Sequence, residues 1–212
     1  MESLLADSTV FTKDKQDKVT PEIAIQLLKD GNKRFLDKKT LDRNPDEHIE
    51  KTAGGQWPFA AVLSCIDSRV PVETVFDMGI GDLFSARVAG NFVNTDILGS
   101  LEYACKVAGS KAVVVLGHTH CGAVKGACDD VKLGNITSML AKLKPAVEAV
   151  EEDGDRSSAN TEFVSKVVDK NVELTIQNIM DESPVLKEMS DNGEITIVGA
   201  VYDVETGEVT FS

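Results

Sequence analysis

The sequence predicts an α/β fold, a mainly parallel central β-sheet flanked by helices. Three observations predict it. Two apolar runs of strand length, "FAAVLSC" at 59–65 and "KAVVVLG" at 111–117, show no alternation, as expected of strands buried on both faces of a parallel sheet. Segments with helical spacing separate the strand candidates. Both apolar runs also end in polar clusters, "CIDSRV" at 65–70 and "GHTHCG" at 117–122, and ligands in open α/β sheets gather beyond the carboxyl ends of strands.

In chain order, residues 1–19 are polar and without period, and read as a loose arm. "TPEIAIQLLKDGNKRFLDK" reads as a helix, with Thr20 as N-cap, Pro21 at the first helical position, and Ile23, Leu27, Leu28 and Phe35 as its apolar stripe. The following "KKTLDRNPDEHIEKTAGGQW" reads as a polar connector in which His48 is solvated. After the first strand, "DLFSARVA" at 82–89 is a second strand candidate, and "TDILGSLEYACKVAG" at 95–109 a helix closed by Gly109. "CGAVKGACDD", 135–151 and 160–181 read as helices, and "EITIVGAVYDV" and "EVTFS" as strands joined through the turn "ETG". Residues 20–212 are expected to form a single domain.

Composition narrows the function. With 35 acidic against 22 basic residues the formal charge is −13, which repels nucleic acid and anionic membranes as partners. No apolar run reaches the roughly 20 residues of a membrane span, and no signal-peptide pattern opens the chain, so a cytoplasmic location is expected. In a reducing compartment the four cysteines are metal ligands, nucleophiles or core rather than disulfides. Cys105 sits on an apolar helical face and reads as core; Cys128 reads as packing.

Cys65, His118 and Cys121 offer two thiolates and an imidazole, a donor set suited to Zn²⁺. Three protein ligands leave a fourth position for water, the arrangement of a catalytic site, and bound water then ionises near neutral pH. Two thiolates soften that effect, so activity is expected to favour mildly alkaline pH. His120 competes with His118; spacing leaves the choice open, and His-x-x-Cys at a turn entering a helix favours His118. Asp67 and Arg69 follow Cys65 at alternate positions. A carboxylate beside a guanidinium stays ionised and oriented, able to take a proton from bound water or to ligate the metal itself.

"CIDSRVP", "GDLFSARVAGN", "SLEYACKVAG" and "VVVLGHTHCGAV", in this order and spacing, resemble the β-class carbonic anhydrases, over about residues 20–135 with a weaker echo at "IVGAVYD". The resemblance implies one Zn²⁺ per subunit on Cys65, His118 and Cys121, with Asp67 and Arg69 as a catalytic dyad. It implies hydration of CO₂ to bicarbonate by zinc-bound hydroxide. Gln56 and the Gly122 N–H match substrate hydrogen-bond donors, and Phe84 and Tyr103 match apolar pocket residues contributed across a dimer. A homodimer or homotetramer follows, with 20–45 as a helical arm embracing the partner subunit. Part of the family holds an inhibitory bicarbonate with a Trp, an Arg and a Tyr. Here Val62 stands at the Trp position, beside the matching Arg87 and Tyr202, so no such inhibition is expected. Two rival readings use the same residues: hydrolysis of CS₂ or COS, and a non-catalytic zinc or redox-sensing protein.

Overall fold

A computed structural model describes residues 7–212. Five strands form one sheet in the order β2-β1-β3-β4-β5. They are β1 (Ala60–Ser64), β2 (Leu83–Arg87), β3 (Ala112–His118), β4 (Thr196–Tyr202) and β5 (Val209–Phe211). β1 pairs in parallel with β2 and β3, and β3 with β4; only β5 runs antiparallel, on β4. The predicted sheet is therefore present. Its two continuous apolar runs are its central strands, buried at every residue, whereas the edge strand β2 is only partly covered.

Helices cover both faces. On one side α2 (Pro21–Leu36) and α4 (Val72–Val75) pack Leu27, Leu28 and Phe76 against Val62, Val114 and Leu116. Thr20 caps α2 and Pro21 begins it, as predicted; the face holding Ala24, Leu27 and Leu28 lies on its own sheet. On the other side α5 (Thr95–Glu102), α9 (Thr161–Glu182) and α10 (Pro184–Asp191) cover Ala61, Leu63, Val113 and Val115. Helix α9 comes so close to β3 that a Cβ on Gly117 would stand 2.7 Å from Val172 Cγ2, so this strand position has no room for a side chain.

Several expectations are corrected. The segment 1–19 is not a loose arm over its described part: Val10, Phe11 and Val19 are buried, and α1 (Lys13–Gln16) inserts Gln16, whose Nε2 donates to the carbonyls of Pro58 (2.9 Å) and Ala108 (2.8 Å). Residues 1–6 lie outside the described residues. His48 is not solvated. It sits on α3 (Pro45–Thr52), inside the presumed connector, 2% exposed, with Nε2 3.0 Å from the Ser8 carbonyl. Sequence composition misleads here because one buried face of a short polar helix carries little apolar signal. The helix expected over 95–109 ends in a π turn at 103–107, where the Ala108 N–H reaches the Tyr103 carbonyl, before Gly109 turns at φ +86°. The single helix expected over 135–151 is two, α7 (Gly134–Leu140) and α8 (Lys144–Ala149), because Pro145 lacks the N–H that would continue the first. Pro184 likewise ends α9 and opens α10 under a Ser183 cap. Among the described residues no helix is long and apolar enough to cross a membrane.

Candidate metal centre

The site forms where β1 and β3 run out side by side. Ser64 pairs with Leu116, so Cys65 comes level with Gly117 and His118 lies one residue beyond. The chain then turns, with His120 at φ +56°, and Cys121 precedes the first turn of α6 (Gly122–Cys128). Register alone thus brings together residues over fifty positions apart in sequence. One donor atom from each of Cys65, His118 and Cys121 lies within 4.8 Å of the others, and all three residues are buried. The two sulfurs are 4.0 Å apart.

His118 decides what this cluster can hold. Its Nδ1 lies 2.9 Å from the Thr119 carbonyl, an oxygen that can only accept, so Nδ1 carries the proton. Nε2 is left as a lone-pair donor, buried and without a hydrogen-bond partner. An orphaned imidazole nitrogen facing two thiols is what a soft, tetrahedral metal ion fits. The other candidate, His120, is partly exposed and faces Glu205 at 3.3 Å, away from the cluster. The imidazole that spacing left open is therefore His118.

The two thiols share a hydrogen bond. The Cys65 thiol is drawn well below its ordinary range, first by the hydrogen bond from Cys121, then by the backbone N–H groups of Gly90 and Asp67. Cys121 is pushed up by the same sulfur–sulfur bond and by burial.

Asp67 and Arg69 stand beside it. Arg69 donates from Nε to Oδ1 (2.9 Å), from Nη2 to Oδ2 (2.8 Å), and from its backbone N–H to Oδ1 (2.9 Å). Held by that guanidinium, the Asp67 carboxyl lies far below the usual carboxylate range. Its Oδ2 is 3.9 Å from His118 Nε2. A carboxylate this firmly ionised is an orienting acceptor, not a store for protons. Arg87, from the end of β2, donates to the carbonyls of Cys65 (2.9 Å) and Asp67 (2.6 Å) and so ties the dyad segment down.

The four expected substrate residues are placed differently. Gly122 lies in the first turn of α6 beside Cys121. Phe84 pairs across the sheet with Ala61, four residues before Cys65 or about 13 Å along the strand. Its ring meets Tyr103 edge-on at 6.1 Å, in an open cavity of about 680 Å³ also lined by Ala61, Ile97 and Leu101, and by no residue of the cluster or dyad. Gln56 is exposed and precedes the amino end of β1, whereas Cys65 follows its carboxyl end. One chain therefore unites the metal donors, the dyad and Gly122, but does not bring Phe84, Tyr103 or Gln56 to them. Two residues with no role in the sequence reading also touch the site: Gly90, whose N–H reaches the Cys65 sulfur, and Asn171, bonded to the Gly90 carbonyl. The left-handed glycine in "VAGN" was the available signal for the first; a polar residue among valines in α9 was the signal for the second.

Comparison with known proteins agrees with this geometry. The family model described as "Carbonic anhydrase" matches residues 60–209. A "Carbonic anhydrase 2" of Mycobacterium tuberculosis is 33% identical over 195 residues, covering 88% of this chain and 90% of that protein. A "Carbonic anhydrase" of Mycolicibacterium smegmatis is 34% identical over 197 residues, covering 89% and 92%. Among solved structures, a tetrameric β-carbonic anhydrase of Sordaria macrospora superposes with a TM-score of 0.67 at 28% identity, covering 78% of this chain and 86% of that one.

Proposed function

We propose, from the premise that this chain belongs to the β-carbonic anhydrase family and is a carbonic anhydrase, that it is a zinc enzyme hydrating CO₂ reversibly to bicarbonate and a proton at the Cys65–His118–Cys121 centre. The observation that carries the reading is the buried, unpartnered His118 Nε2 facing two thiols beside an ionised carboxylate.

Cys65, His118 and Cys121 would hold one Zn²⁺ per subunit. Zinc, when bound there, supplies the Lewis acidity that makes water a nucleophile near neutral pH. The protein's own groups do the rest. Asp67 accepts a hydrogen bond from the attacking water and fixes its direction, and Arg69 keeps Asp67 ionised and still. Product protons leave to buffer rather than to Asp67. CO₂ has no charge and no donor, so an apolar pocket suits it; Phe84 and Tyr103 are assigned to that pocket, and Gln56 and the Gly122 N–H to its hydrogen bonds. Because Phe84 lies about 13 Å along the sheet from its own Cys65, it and Tyr103 would serve the site of a partner subunit. That supports a homo-oligomer, dimer or tetramer, in line with the tetrameric Sordaria protein. The proposed organisation keeps 20–212 as the catalytic domain, into whose core residues 10–19 also pack, with the outer face of 20–45 as the arm laid on the partner.

Stopped-flow CO₂ hydration with metal analysis of the purified protein tests this. About one zinc per chain with CO₂ turnover abolished by chelation and restored by zinc is expected. Zinc with turnover of CS₂ or COS alone would overturn the substrate; zinc with no turnover of any of these would make the protein a binder or sensor.

A further inference from the structure

We infer that Asn171 is a positioning residue for the metal centre, holding through Gly90 an N–H donor against the sulfur of Cys65. The inference rests on the zinc reading above and extends it to a residue on α9, one hydrogen bond behind Gly90.

Asn171 is 4% exposed and lies on the buried face of α9 with Val167, Val168 and Val172. A buried amide left without partners is destabilising, so its bond has to explain its presence. That bond runs from Nδ2 to the Gly90 carbonyl at 2.8 Å, and it is buried. A carbonyl only accepts, so the amide orientation is determined. The N–H of the same Gly90 points to Cys65 Sγ at 3.4 Å, also buried. Gly90 has φ +84°, and a Cβ there would stand 2.7 Å from Leu143 Cδ1. Only glycine follows this path. Its carbonyl belongs to the peptide unit after its N–H, so bonds that hold that unit hold the turn through which the N–H is aimed: the Asn91 N–H to the Val88 carbonyl (2.9 Å) closes the turn, and Asn171 anchors its carbonyl side. An N–H bonded to a ligating thiolate withdraws part of its charge and fixes the sulfur's direction, as partners of metal ligands do elsewhere.

The test uses the full chain loaded with cobalt(II), whose thiolate-to-metal charge-transfer band reports on the sulfur, together with zinc affinity by chelator competition. Asn171→Leu keeps the branching of the side chain and removes the donor; Asn171→Asp keeps the shape and replaces the donor by an acceptor. Both variants are expected to move the band to longer wavelength and to hold zinc about tenfold or more weakly. An unmoved band overturns the inference, even if affinity or stability falls, because a merely structural residue would leave the sulfur's electronics alone. Should the variants not fold, the parent protein decides: loaded with cadmium-113, its Gly90 amide proton is expected to show scalar coupling to the metal through the N–H···S bond, and absence of coupling overturns the proposal. A parent that binds cobalt with no thiolate band at all overturns the zinc reading itself; a parent with the band and unchanged variants overturns only the role of Asn171.

Discussion

Asp67→Asn separates catalysis from folding more sharply than any other single change. The amide can still accept from Arg69 at one oxygen, but its NH₂ then confronts Nη2 or the reaction position, and the negative charge is gone. What is lost is one hydrogen bond to a charged acceptor, about 1.5–3 kcal/mol. At 1.36 kcal/mol per decade that is a drop of about 10- to 150-fold in kcat/KM, near the lower range for a positioned acid–base group. Stability should fall only modestly, because Arg69 is half exposed and solvent screens its pairing with Asp67. The pH dependence supplies a second check. Arg69 depresses the Asp67 carboxyl, so the group is ionised at every pH above the acid range and does not titrate during assay. The loss should therefore be equally large at pH 6 and pH 9. Stopped-flow hydration of zinc-loaded protein measures it. A variant within about threefold of the parent, or a loss that vanishes at acid pH, would refute the role given to Asp67.

Asp77, with its side chain 3% exposed, accepts from Arg34, Arg43 and the Leu41 N–H, and Asn tolerates its φ of +48°. Asp77→Asn leaves two half-buried guanidiniums without their charge partner and should cost about 3–5 kcal/mol in a urea melt, activity per folded molecule being kept; a cost under about 1 kcal/mol contradicts the network. Burial raises the Asp82 carboxyl above its ordinary value, with Oδ1 unpartnered and Oδ2 accepting from the Gly79 N–H. Its folded pKa exceeds the unfolded one, so stability declines as pH rises through that window, and Asp82→Asn should raise Tm at pH 7 and leave it unchanged at pH 3. Finally, Val62 is fully buried in β1, and Arg87 is committed to the Cys65 and Asp67 carbonyls. Added bicarbonate should therefore act only as product in initial-rate assays; cooperative inhibition would show an anion site that these residues do not build.

Much of this molecule is readable from local pattern. Continuous burial of β1 and β3 appears as runs of Ala, Val and Leu, because a central parallel strand presents both faces to helices. The cap at Thr20 and the breaks at Pro145 and Pro184 depend on a single residue's backbone chemistry, though the helix expected over 135–151 runs through Pro145 and α10 after Pro184 carries no expectation. Cys65, Asp67, Arg69, His118 and Cys121 stand out because polar and sulfur-bearing groups at strand ends have no packing purpose. Their convergence belonged to register and to the turn at φ +56°; the His-x-x-Cys spacing favours His118 over His120, and the folded turn decides it. The burial of His48 and Gln16 was likewise decided by long-range hydrogen bonds to backbone carbonyls, invisible in composition. So was the reach of Asn171 to Gly90, eighty-one residues away. Side-chain type and periodicity act over a turn or a strand; pairing across a core depends on where the whole chain comes to rest, and only the folded arrangement holds that information.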